Sequence, residues 1–297
     1  MCFMGWLTHG FAPGAQGAEG LTRLFRNVNL IIGGSLVLLI VITAFCSFFY
    51  TPYDPNRMNL PERFHPPNAS HILGTDQYGR DILSRVMKGA VNSLVVGWVA
   101  VGIGLGCGIL LGSLAAYWGG WKDEGIMRLV DVFYGFPAVL SAILITSVLG
   151  PGIANSMLAI GIFYIPIFTR LTRGTSLSIW QRDYVTSARA IGQSSGKIIW
   201  HAILPNILSP LIVQATVQFA IAILAEAALS YLGLGTQPPH ASWGRMLNEA
   251  QTFMEISPWL AIFPGLAIAW AVLGFNLLGD GLRDLLDPKL VRAGRRP

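Results

Sequence analysis

The chain has 297 residues, of which 53% are hydrophobic and only 12% are charged, and its mean hydropathy is +0.55. A soluble domain carries about 25% charged residues, so this composition excludes an ordinary soluble globule and indicates a chain solvated mostly by lipid. The net charge of +5 comes from basic residues spread over separate polar segments, which argues against a nucleic-acid-binding face.

Long uncharged runs predict an all-α protein with six membrane-spanning helices. Crossing the hydrocarbon core of a bilayer takes about 20 helical residues. The uncharged run over 132–169 is long enough for two spans, which the Gly150-Pro151-Gly152 turn separates. The predicted helices cover residues 28–50, 93–117, 132–149, 153–170, 208–232 and 258–279.

Basic residues predict the orientation of these helices. Fourteen lysines and arginines lie on the side of the two termini, and six lie on the opposite side. Because basic residues are retained in the cytoplasm, both termini are predicted to be cytoplasmic. The predicted order is a cytoplasmic tail, an anchor helix, an outward loop, a multi-helix membrane domain and a second cytoplasmic tail, over 1–27, 28–50, 51–88, 89–280 and 281–297.

The outward loop divides into two halves. The first half contains five prolines and is predicted to be irregular. Residues 79–91 have apolar side chains at helical spacing, including Ile82 and Val86, and are predicted to form an amphipathic helix.

A polar island with the sequence DYVTSARAIGQSSGKIIWHAILP interrupts the apolar chain at 183–205. Tyr184, Ala188 and Ile191 follow the i, i+4, i+7 spacing of one helix face. Gly192 is predicted to end this helix with a positive φ. The apolar residues Ile198, Ile199, Ala202 and Ile203 indicate a second stripe. The island is therefore predicted to form two short helices at the cytoplasmic surface, with an apolar seam for a partner.

Glu226 is a single carboxylate in the fifth predicted span, after twenty apolar or neutral residues. Since a bare carboxylate costs ~2 kcal/mol or more within a membrane, it must face a cavity, a partner or water. Two interpretations stay open: the residue lines or gates a translocation path, or it makes a hydrogen bond that fixes helix geometry.

Other patterns resemble catalytic or cofactor motifs but lack the required chemistry. Gly74 and Gly79 have the spacing of a P-loop, but Arg80-Asp81 follows in place of Lys-Ser/Thr, so this chain is not expected to bind ATP. Gly104, Gly108 and Gly112 indicate close helix packing rather than a dinucleotide site. No catalytic group is assigned. The histidines and the three cysteines lack metal-site spacing, so no metal site is assigned.

The island resembles the EAA loop of permease subunits of ATP-binding cassette importers. Thr186, Ser187 and Ala188 stand where that family has Glu-Ala-Ala, and Arg189 and Gly192 fit its pattern. The segments LGTDQYGRDILSRVMKGA over 73–90 and AEAALSYLGLGTQPPHASWGRML over 225–247 are similar to the peptide and nickel branch, and within it to the C-type permease of dipeptide and oligopeptide systems.

This resemblance implies a type I importer permease (MetI-like) fold in a bacterial inner membrane and a short-peptide substrate. The implied partners are a B-type permease in a heterodimer, two ATPases that carry ATP and magnesium, and a periplasmic or lipoprotein substrate-binding protein; no cofactor is implied on this chain. The implied ATPase-docking residues are Asp183, Thr186, Ala188, Arg189, Gly192, Ile198, Ile199 and Pro205. Asp76, Arg80 and Asp81 are candidates for a periplasmic cap that meets the binding protein, the alternative being a solvated connector.

Three other functions stay open. The first is a permease of the same branch for nickel or another small solute. The second is a proton-coupled secondary transporter with Glu226 as the carrier, although the chain shows no inverted repeat. The third is a purely structural membrane scaffold.

Overall fold

The computed structural model describes residues 27–286, which are helical apart from loops and one isolated bridge between Thr75 and Asp81. The helices are α1 (Val28–Phe49), α2 (Ile82–Trp118), α3 (Gly120–Tyr134), α4 (Ala138–Leu149), α5 (Ile153–Trp180), α6 (Asp183–Ala190), α7 (Ser195–Ile198), α8 (Leu204–Tyr231), α9 (Trp243–Ala250) and α10 (Trp259–Leu286). A π-helical turn, Ile199–Ile203, joins α7 to α8. The predicted tails, apart from residues 27 and 281–286, lie outside the described residues.

Within residues 27–286, five helical segments are long and apolar enough to cross a membrane: α1, α2, α5, the continuous run Ser195–Tyr231, and α10. A sixth candidate span is the pair formed by α3 and α4. The six predicted spans therefore correspond to five unbroken helices and one broken pair.

The predicted helix over 132–149 is wrong in one respect, because these residues are divided between α3 and α4. The axes of the two helices meet at 87°, and the break lies at Gly135-Phe136-Pro137. Pro137 has no N–H to donate and disfavours helical geometry at Phe136, so the chain turns there. Helix α3 carries five charged residues and is amphipathic, whereas α4 is uncharged and apolar.

The start of the second predicted helix is also corrected. The predicted amphipathic helix over 79–91 and the predicted span over 93–117 form one continuous helix that begins at Ile82, so the predicted boundary between 88 and 89 falls inside α2. The side chain of Asp81 accepts a hydrogen bond from the Ser84 N–H and caps the helix. Arg85 and Lys88 limited the predicted apolar run, but both residues are good helix formers and do not end a helix.

Helices α2 and α5 pack through glycines, as the sequence predicts. A Cβ at Gly104 would overlap the Cβ of Tyr164, and one at Gly108 would overlap the Cβ of Phe168. At Gly112, an added Cβ would lie 2.6 Å from the carbonyl oxygen of Thr169. The backbones therefore approach closely along one glycine stripe.

The anchor helix α1 is part of the bundle and packs against α10. Gly33 meets the backbone of Leu277 and Leu278, so a side chain at this position has no room. Closer to the C-terminal end of α10, the Asn27 side-chain amide donates to Asp284, with an N–O distance of 3.2 Å. These contacts place the anchor beside the C-terminal helix.

Candidate functional site

Helix α6 forms the first half of the polar island and is attached to the bundle by one side. The side chain of Val185, on the attached side of this helix, is fully buried. The predicted stripe lies on a neighbouring side: Tyr184 is 44% exposed and Ile191 is 69% exposed, while Ala188 is half-buried. These residues line an open concavity of about 910 Å³. The arrangement provides an exposed apolar surface on a short, fixed helix, which is suited to contact with a partner protein.

Gly192 ends this helix in the predicted left-handed conformation, with φ of +79°. The Gly192 N–H donates to the Arg189 carbonyl, and the Gln193 N–H donates to the Ala188 carbonyl. These two bonds form a Schellman motif, in which the residue at the Gly192 position adopts a positive φ. Gly192 therefore sets the direction in which the chain leaves α6.

The second half of the island differs from the prediction. Ile198 is only 1% exposed and belongs to the core of the same chain, so the prediction that it faces a partner is wrong for this structure. Ile199 is half-buried. Ile203, Ile207 and Leu211 continue the buried face at helical spacing, because the π-helical turn leads directly into α8. The predicted second short helix is thus the beginning of a membrane span.

The remaining candidate docking residues lie at the surface. Asp183 and Thr186 are exposed in the first turns of α6. Pro205 is exposed at the start of α8, directly after the π-helical turn. Arg189 is exposed at the end of α6, with its guanidinium carbon 4.3 Å from the centroid of the Trp180 ring.

Glu226 lies near the C-terminal end of α8 and is completely buried. Its Oε1 accepts hydrogen bonds from the Ser230 hydroxyl at 2.6 Å and from the Thr236 hydroxyl at 3.2 Å. The Thr236 N–H in turn donates to the Ser230 hydroxyl oxygen. The carboxyl group thus fastens the loop after α8 to the helix, which favours the geometric interpretation; gating by Glu226 stays a prediction.

The predicted cap residues belong to a buried ion network. Arg80 pairs with Asp76 and with Glu249, each with an N–O distance of 2.6 Å. Arg85 also contacts Glu249, at 3.3 Å. The arginine side chains are 4% and 1% exposed, respectively. Since Glu249 lies on α9, the network joins the loop after α1 to the segment between α8 and α10.

Asp81 has a separate set of partners. One carboxylate oxygen accepts from the Ser84 N–H and hydroxyl, and the other lies 2.9 Å from Nδ1 of His71. The opposite ring nitrogen of His71 lies 3.4 Å from Glu62. Asp81 therefore organises the start of α2 and the loop that precedes it.

Asp76, Arg80 and Asp81 were predicted to form a cap that meets a binding protein, but they are buried. Asp76, Arg80 and Asp81 are at most 4% exposed, so they do not meet a binding protein directly in this structure. They stabilise a folded segment between α1 and α2, and these three side chains are not solvated in this structure. Sequence inspection did not identify Arg85 or Glu249, because nothing local indicates a pairing across 164 residues.

Comparison with known proteins decides the family. A family model described as "Binding-protein-dependent transport system inner membrane component" matches residues 108–292, more than half of the chain. The chain belongs to this permease family. The permease is 43% identical to the dipeptide transport system permease protein DppC of Alkalihalophilus pseudofirmus over 272 residues, covering 92% of this chain and 90% of that protein. It is 45% identical to the glutathione transport system permease protein GsiD of Pectobacterium atrosepticum over 269 residues, covering 90% and 89%, respectively.

Solved structures agree with the fold of the permease. A structure of inward-facing conformations of the MetNI methionine ABC transporter matches with a TM-score of 0.55 and 16% identity, covering 71% of this chain and 96% of that one. At this identity the likeness concerns the fold alone. The permease is therefore a multi-pass all-α membrane protein with the type I importer (MetI-like) fold.

Proposed function

We propose that this chain is the membrane permease subunit of an ATP-driven importer for short peptides. The observation that carries the proposal is the exposed apolar stripe of α6, held in direction by the Schellman motif at Gly192, in a chain of this permease family. Support for peptides as substrates comes from the names of the relatives, which transport dipeptide and glutathione.

In this proposal the chain forms half of the pore, and a B-type permease forms the other half. Two ATPases dock at α6 from the cytoplasm and supply the energy of ATP hydrolysis, so this chain itself is not an enzyme. A soluble or lipid-anchored binding protein delivers the peptide to the outer side. ATP binding and hydrolysis drive transport by favouring one of two pore conformations over the other.

The proposal places the chain in a bacterial inner membrane with both termini in the cytoplasm. It predicts that a cysteine at Asn68 reacts with an impermeant thiol reagent added outside intact cells, whereas a cysteine at Ser194 reacts only after the membrane is opened. Both positions are exposed, and the natural cysteines Cys2, Cys46 and Cys107 are first replaced by alanine. Labelling of the Ser194 variant from outside would refute both the topology and the docking assignment.

Replacing Gly192 with valine tests the docking surface. A Cβ at this position would have no atom within 4 Å, so valine would not clash. It would destabilise only the conformation with positive φ, by roughly 1–2 kcal/mol for an L residue. We expect peptide uptake and co-purification of the ATPase to fall severalfold, with the abundance of the permease in membranes nearly unchanged. The same substitution at Gly196, which also has open space but lacks a positive φ, is the matched control. Normal co-purification in both variants would contradict docking at α6.

A further inference from the structure

Arg189 makes an inward contact that joins the candidate docking helix to two spans. Its guanidinium carbon lies 4.3 Å from the centroid of the Trp180 ring, at the end of α5. Trp180 is only 7% exposed, and its ring centroid lies 6.1 Å from that of Tyr117, near the end of α2. A chain of packed groups therefore runs from α6 through α5 to α2.

The geometry explains why an arginine occupies this position. Val185 and Arg189 are one turn apart and lie on the same side of α6, so these two residues attach the helix to the bundle. Within residues 27–286, Arg189 makes no ion pair. A planar guanidinium stacks on an indole face in a way that an ammonium group does not reproduce.

Trp180 is held by packing rather than by a hydrogen bond. Its indole N–H is buried and has no hydrogen-bond partner in the described part of the chain. The ring position is therefore determined by its neighbours, among them Arg189 and Tyr117. A displacement of α6 would change the contact of Arg189 with the indole face, which lies between the ends of both spans.

We propose that Arg189 is a positioning residue, which holds α6 against Trp180 and couples movement of the docking helix to α5 and α2. This inference rests on the proposed function only for its consequence in transport. The alternative role of Arg189 is a charge contact with an acidic surface of the ATPase. Lysine keeps the charge and removes the planar stack, so Arg189→Lys separates the two roles.

The first test needs no partner. A spin label is attached to a cysteine at the exposed residue Thr186, in the purified full chain without its natural cysteines. We expect Arg189→Lys and Trp180→Leu to increase the mobility of the label, because each removes the stack. Lys197→Ala changes a charge of the same island and is expected to leave mobility unchanged. Unaltered mobility in the Arg189→Lys variant would overturn the inference, whatever the chain transports.

The second test uses the assembled transporter with its native partners. We expect Arg189→Lys to lower the number of peptides transported per ATP hydrolysed about fivefold, because a single cation–π contact contributes a free energy that corresponds to about this factor. The ATPase should still co-purify with this variant. Trp180→Phe should lower the ratio in the same direction, and the double variant should add little, since both changes remove one interaction. A normal ratio in Arg189→Lys with a reduced ratio in Arg189→Ala would establish the charge contact instead. Failure of the unaltered chain to bind an ATPase would refute the proposed function, whereas the mobility result would stand.

Discussion

Replacing Gly108 with valine is expected to remove most of the folded protein from the membrane. The added side chain would overlap the Cβ of Phe168 at the tightest part of the contact between α2 and α5. Overpacking of this kind costs about 1–3 kcal/mol where side chains can move aside, and more where a backbone must shift. Here the backbone of Thr169 is also in contact, so we expect the upper end of that range or beyond.

The control for this variant is Gly106→Val in the same helix. Gly106 has no atom within 4 Å of an added Cβ, so valine there keeps the composition change and avoids the clash. The measurement is the amount of monodisperse protein extracted from membranes, together with its thermal stability in detergent. Equal losses in the two variants would show that helix propensity, rather than the contact with α5, determines the effect.

Replacing Glu249 with alanine is expected to unfold the segment between α1 and α2, residues 50–81. Arg80 and Arg85 would then remain buried with Asp76 as their nearest carboxylate. Two buried guanidinium groups would then share one carboxylate, and a buried charge that loses its partner costs about 3–5 kcal/mol, several times the stability that an exposed ion pair contributes. The variant should show rapid proteolysis between residues 50 and 81 and a clearly lower melting temperature.

Two further variants make this result specific. Glu249→Gln keeps the shape and one hydrogen-bond acceptor, so we expect an intermediate loss of stability. Glu255→Ala removes a carboxylate from an exposed position that has no ion pair among the described residues, and should behave like the unaltered protein. Similar stability of the Glu249→Ala and Glu255→Ala variants would contradict a structural role for the network.

Local sequence patterns predicted the features that depend on neighbouring residues. Apolar runs located the spans, the spacing of Gly104, Gly108 and Gly112 located the close helix contact, and the position of Gly192 between two stripes predicted its positive φ. Each of these signals lies within a few turns of helix. Each feature can therefore be predicted from a short stretch of sequence, without knowledge of the tertiary contacts.

Features set by tertiary contacts were missed or misjudged. Ile198 has the spacing of an exposed amphipathic face, but its helix continues into α8 and the side chain packs into the core. The pairing of Arg80 with Glu249 joins residues 169 positions apart. The helices predicted over 79–91 and 93–117 are continuous in α2, and they were separated because charge was used as a boundary, although a helix continues through charged residues such as Arg85 when they find partners.

We propose that this chain transports peptides with energy from ATP on partner subunits. Uptake of a labelled dipeptide can be measured in vesicles that contain the purified complex, with the binding protein outside and ATP inside. We expect uptake that requires internal ATP and persists when a protonophore collapses the proton gradient. Uptake driven by an imposed proton gradient without ATP, and stopped by the protonophore, would refute transport driven by ATP and favour a secondary transporter that uses Glu226.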